Sequence, residues 1–276
     1  MALTSLQQRI LTASLLAPLA VYAVLALPTP YLALTLGLLL LIAAWEWSRL
    51  VGLTTGPQRL AYVLLLALVL FLLWSLPVAG TRLLLLGVGL GWWLMAAWLF
   101  RISDIRPALG RDLGLMLAGL PLLAAPWLAM TNLHGASPEG PSLVLFLLVL
   151  IWSADSAAYF TGRRWGKTRL APVLSPGKTW AGVYGAGLSA ILLGLVLAFG
   201  LELGPLAWPG AVLLCLATAF ISIVGDLFES LLKRRRGLKD SGQLLPGHGG
   251  LLDRIDSLIA AAPVFALGLL MLGVLP

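Results

Sequence analysis

Apolar residues in this chain do not alternate with polar ones at short range; they gather in long blocks. Nine such blocks run roughly over 10–27, 31–48, 60–76, 83–100, 113–131, 142–160, 182–200, 206–230 and 257–275. A run of about 17 or more apolar residues is long enough to cross the hydrocarbon of a bilayer as a helix. A chain in lipid must also satisfy its backbone hydrogen bonds internally. The pattern therefore predicts an all-α polytopic membrane protein of about nine transmembrane helices. The first block follows Arg9, exceeds the usual length of a signal-peptide core and is followed by no small-x-small cleavage site, so it reads as a retained span.

Charge sharpens this picture. The connections alternate between loops poor in cations, such as "PTP" at 28–30 and "NLHGASPEGP" at 132–141, and basic loops at 49–59, 101–112, 161–181 and 231–256. Counting Arg9 with the basic set, 17 of the 18 Lys and Arg residues fall on one side of the membrane and only Arg82 on the other. The positive-inside rule then predicts a cytoplasmic N-terminus and a C-terminus on the periplasmic, outer side.

Composition agrees. The chain is 60% hydrophobic and 11% charged, against about 25% charged in a soluble domain. The net charge of +7 belongs to membrane topology and calls for no nucleic acid. A single cysteine, Cys215, excludes a disulfide framework and a cysteine zinc site. Trp45, Trp47, Trp74, Trp98 and Trp208 sit near span ends, as interfacial anchors do. No internal repeat of the kind that builds inverted-repeat transporters is visible.

The two halves differ in character. Residues 1–141 read as an N-terminal scaffold of about five spans, and residues 142–276 as a catalytic region of about four spans with cytoplasmic loops 161–181 and 231–256. Three constellations lie in the second half. In the first, Asp155 falls inside the sixth span, where an ionisable residue is costly and marks a function or a structural ion pair. The loop after it holds five cations and no acid between 161 and 181, which suits either an anion cradle or ordinary positive-inside charge. In the second, Asp226 and Glu229 are spaced i, i+3 near the inner end of the eighth span, with Lys233 one further turn along the Asp226 face and Arg234 and Arg235 read as a stop-transfer flank. The third is "LLPGHGGLLDRIDSL" at 244–258. Its Pro and Gly residues preclude regular helix until about Leu251, after which Asp253 and Asp256 share one helix face beside Arg254. Such acids suit a helix N-terminus, and they equally suit Mg²⁺, which takes carboxylate, phosphate and water oxygens. His248 suits a proton carrier, a phosphate donor or a loop support. Carboxylates for a metal and cations for phosphate are the parts of a phosphoryl- or nucleotidyl-transfer site. No Walker A loop and no serine or cysteine nucleophile motif is present.

The segment "SLLKRRRGLKDSGQLLPGHGGLLDRID" at 230–256 resembles the C-terminal signature of the phosphatidate cytidylyltransferase (CDP-diacylglycerol synthase) family. Ser230, Lys233, Arg234, Lys239, Asp240, His248, Gly249, Gly250, Asp253, Arg254 and Asp256 occupy matching positions. The run from Asp155 to Gly162, "GDLFES" and "SPGKTWAG" at 175–182 are similar to the family as well. Two departures stand out: Gly177 where the family usually has a second lysine, and Ala181 where it usually has glutamate. The resemblance covers roughly 150–258.

The resemblance implies a reaction between CTP and phosphatidate in the bilayer, giving CDP-diacylglycerol and pyrophosphate, in phospholipid biosynthesis at a bacterial inner membrane. It implies Mg²⁺, with room for a second cation, on Asp226, Asp253 and Asp256. Lys239 and His248 join these three as catalytic candidates. Lys167, Lys178, Ser175, Lys233, Arg254, Gly249, Gly250 and Asp155 are the expected substrate-binding residues. A homodimer is compatible with this reading. A CTP-dependent lipid-alcohol kinase and an ion-coupled transporter are the alternatives.

Overall fold

The computed structural model describes residues 5–244 and 249–275. Among them are nine α-helices: α1 (Ser5–Ala26), α2 (Thr29–Leu50), α3 (Gly56–Trp74), α4 (Val78–Leu99), α5 (Leu113–Gly135), α6 (Gly140–Trp165), α7 (Trp180–Gly200), α8 (Trp208–Arg235) and α9 (Leu252–Met271). Eight of these are long and apolar enough to cross a membrane, and α1 adds a shorter described apolar stretch, Ser14–Ala26. The chain is an integral membrane protein, as the apolar blocks require. The exposed faces of α3 and α7 carry large apolar side chains such as Phe71, Leu64, Leu188 and Phe199, which only a lipid surroundings makes favourable.

Several helices outrun their apolar blocks. α2 reaches Leu50, α6 reaches Trp165 and α8 reaches Arg235, so Arg49, Arg163 and Lys233 stand on helix rather than loop. Polar residues can extend a helix beyond the hydrocarbon because its backbone bonds remain closed there. Prolines begin α2, α3 and α6 within their first turn, where a missing N–H leaves no helical bond unmade.

The loop at 161–181 is not wholly irregular. It folds back as a hairpin of β1 (Arg169–Ala171) and β2 (Ser175–Thr179), antiparallel, with Arg169 opposite Thr179 and Ala171 opposite Ser175. Thr179 ends the hairpin and caps α7, its Oγ1 accepting from the Gly182 amide at 3.2 Å.

The last four helices form the tightest part of the bundle: α6 on α7, α7 on α8, and α8 on α9, with α9 also packed on α4 and α5. The buried core draws on both halves of the chain. Trp47 of α2 and Trp92 of α4 both pack on Phe228 of α8, with centroid separations of 6.1 and 5.6 Å. Trp47 thereby departs from its expected interfacial role. It is buried, and its indole N–H donates to the Leu115 carbonyl at 3.3 Å. Trp45, Trp74 and Trp98 remain exposed, as anchors are.

Candidate active site

One end of the bundle gathers the C-terminal ends of α2, α6 and α8, the hairpin, and the start of α9. It is also the end that carries the basic loops. Lys178, on β2, reaches across to α8 and sets its Nζ 2.6 Å from Asp226 Oδ2. One turn along α8, the Ser230 hydroxyl donates to the other Asp226 oxygen at 3.3 Å.

A second lysine links α8 to α9. Lys233 Nζ lies 2.9 Å from Glu229 Oε2 and 2.6 Å from Asp253 Oδ1. The remaining oxygen of Asp253 accepts from the Gly250 amide at 2.8 Å and the Ser241 amide at 2.9 Å. Asp253 therefore holds a lysine and both ends of the glycine-rich loop. Gly249 has a φ of +81°, and a Cβ there would press on Asp253 and Asp240. Only glycine adopts this conformation without strain and allows so close an approach.

Carboxylates outnumber cations in this cluster. Asp155 is an electrostatic neighbour of Lys178 and Asp226, and Asp256 is one of Asp226 and Glu229. Five acids thus share Lys178 and Lys233. The Glu229 Oε1 atom is buried without a hydrogen-bond partner, an arrangement that costs free energy in a protein interior. Among the described residues no three His, Cys, Asp or Glu side chains are arranged to hold a metal ion. Asp253 gives one oxygen to Lys233 and the other to two amides, and Asp226 gives one to Lys178 and the other to the Ser230 hydroxyl. Asp226 and Asp256 are electrostatic neighbours, and Mg²⁺ commonly takes one or two carboxylates plus substrate phosphates. The donor set and its surplus negative charge fit such an ion.

The other expected residues are spread around this cluster. Ser175 opens β2 and is half-buried. Lys239 and Arg254 are exposed, the first after α8 and the second on the first turn of α9. Lys167 lines an open depression of about 440 Å³ with Trp165, Thr168, Trp180, Ala181 and Tyr184, and none of the five acids lines it. Gly249 and Gly250 stand at the start of α9. His248 lies outside the described residues.

The basic run after Lys233 does more than flank a span. Arg235 meets Asp112 at 3.4 Å. Arg236 donates to the Leu50 carbonyl at 2.8 Å and the Ala108 carbonyl at 3.0 Å, tying α8 to the end of α2 and to the 101–112 loop. A residue absent from the sequence-based expectations also joins the site. Glu46 of α2 is buried and accepts from the Leu251 and Leu252 amides at the start of α9. The rule that singled out Asp155, an acid inside an apolar span, applies equally to Glu46.

The Cytidylyltransferase family matches residues 7–272 of this chain. A protein of Pseudomonas aeruginosa named phosphatidate cytidylyltransferase is 44% identical over 268 residues, covering 95% of this chain and 96% of the relative. A Haemophilus influenzae protein of the same name is 38% identical over 284 residues, covering 95% and 97%. One from Brucella suis is 37% identical over 241 residues, covering 80% and 86%.

Proposed function

Because the chain belongs to the Cytidylyltransferase family, we propose that it transfers the cytidylyl group of CTP to phosphatidate, giving CDP-diacylglycerol and pyrophosphate. The membrane is a bacterial inner membrane and the site faces the cytoplasm, a reading supported by the 17 of 18 cations assigned to that side. The observation that carries the proposal is the cluster of carboxylates bridged by Lys178 and Lys233 at the basic end of the bundle.

In the reaction, a phosphate oxygen of phosphatidate attacks the α-phosphorus of CTP. The bond from that phosphorus to the oxygen bridging to the β-phosphate breaks, and pyrophosphate leaves with the electron pair. The attacking phosphate is already anionic near neutral pH, so the site needs no strong base, and the chain's lack of a nucleophile motif is in keeping with this. Catalysis then rests on positioning and charge.

Lys178 and Lys233 present ammonium groups at the two ends of the cluster. Arriving phosphate oxygens would share these cations with Asp226, Glu229 and Asp253. Lys167, Lys239, Arg254 and Ser175 supply further donors for the triphosphate or the lipid phosphate. Asp226 and Asp256 are the side chains that would hold Mg²⁺. When bound, that ion offsets charge on the triphosphate and eases departure of pyrophosphate. Asp253 keeps Lys233 and the glycine-rich loop in register with the acids behind them.

Labelled nucleotide tests the proposal. Label at the α-phosphate should enter lipid, and label at the γ-phosphate should leave as pyrophosphate. A CTP-dependent lipid-alcohol kinase puts the γ-label into lipid and leaves the α-label in CDP, and an ion-coupled transporter moves ions in vesicles without CTP.

A further inference from the structure

Glu46 lies in the N-terminal half, 205 and 206 positions before the two amides it binds. Its Oε2 accepts from the Leu252 amide at 2.7 Å and from the Ser241 hydroxyl at 3.1 Å, and its Oε1 accepts from the Leu251 amide at 3.1 Å. The side chain therefore grips both flanks of the glycine-rich segment, residue 241 before it and residues 251–252 after it.

The neighbours are built around this carboxylate. A Cβ at Gly242 or at Gly250 would collide with it. Ser241 is 1% exposed and is held from two sides: its amide by Asp253, its hydroxyl by Glu46. The first amides of a helix have no partner within the helix, and a carboxylate placed on them fixes where the helix begins and favours its dipole. Here that start sets Asp253 one residue beyond Leu252 and Asp256 one turn further. The same end of α2 offers the Leu50 carbonyl to Arg236 beyond α8. One stretch of α2 thus sets the spacing between the two helices that carry the acidic cluster.

We infer that Glu46 is a positioning residue for the transfer reaction, acting through the start of α9 and Ser241 rather than by touching substrate. This rests on the proposed reaction for its activity assay. The alternative is a buried acid that merely contributes to folding.

Glu46→Gln keeps size and packing but replaces one acceptor oxygen with an N–H₂ group that faces backbone N–H donors. The expected result is a protein with a melting temperature close to that of the wild type. Its kcat falls by about 10- to 100-fold with little change in KM for CTP, the order expected when reacting groups shift by about 1 Å. Hydrogen exchange of the peptide spanning 241–252 should accelerate while peptides of α2 and α8 stay as in the wild type. Wild-type kcat per folded molecule, or unchanged exchange in that peptide, overturns the inference. If Glu46→Gln yields no folded protein, Ser241→Ala decides. That variant should fold, exchange faster in the same peptide and lose kcat by about threefold or more, and an unchanged kcat overturns the inference. Failure of the proposed reaction itself would show as absence of CMP transfer by the wild type, whereas the exchange measurement is independent of activity.

Discussion

Lys233 on α8 and Asp253 on α9 meet at 2.6 Å, with side chains 13% and 5% exposed. Glu229 completes the arrangement at 2.9 Å, so one ammonium answers two buried carboxylates across a helix–helix joint. Removing one member of a buried charge pair leaves its partners uncompensated, at a cost of about 3–5 kcal/mol. Lys233→Met should therefore destabilise the protein by about that amount, read as a lower midpoint of denaturation in detergent. An unchanged midpoint would mean that the lysine serves substrate alone.

Asp256 has the opposite balance. It sits among Asp226 and Glu229, its carboxyl within hydrogen-bonding reach of that of Glu229, and it accepts from the amide of its own neighbour Ser257 at 2.7 Å. Asp256→Ala removes a like charge from a crowded site. The melting temperature should stay level or rise, while CMP transfer to phosphatidate falls by about 100-fold or more, the usual trade between stability and activity at strained sites. Near-normal turnover would remove Asp256 from the chemistry.

Gly249 should not tolerate a side chain. Its left-handed backbone, φ +81°, strains any L residue, by about 1–2 kcal/mol. A methyl group there would also push on the Asp253 oxygen that holds the loop. Gly249→Ala should lower turnover by tenfold or more, checked by steady-state assay, with a smaller loss of stability.

Gly177 is a permissive position by contrast. A Cβ added there meets no atom within 4 Å. Gly177→Lys restores the residue usual in the resembling family and should leave stability within about 0.5 kcal/mol of the parent. It should leave turnover equal or higher, and a marked loss would show that the glycine's backbone freedom is used in the hairpin.

Much of this was legible in the sequence. The spans were, because about 17 consecutive apolar residues have few alternatives to crossing lipid. So was the pairing of Asp253 and Asp256 on one turn of α9, because i, i+3 spacing follows from local helix geometry. The hairpin at 169–179 was not, since strands of three and five residues around "SPGKT" leave no readable alternation. Nor was the commitment of Asp253 to Lys233, which depends on how α8 meets α9. Glu46 was hidden by distance: a lone acid between two tryptophans gives no sign of a partner more than 200 positions away. Trp47 shows the same limit, because nearness to a span end cannot tell an interfacial ring from one that turns inward onto Phe228.

The most direct test of the central claim is product stoichiometry. Purified protein in phosphatidate-containing vesicles is given CTP, with and without Mg²⁺, and lipid-linked CMP and free pyrophosphate are measured together. The two should appear in equal amounts and only with Mg²⁺ present. Lipid carrying the γ-phosphate with CDP as the released nucleotide would contradict the claim.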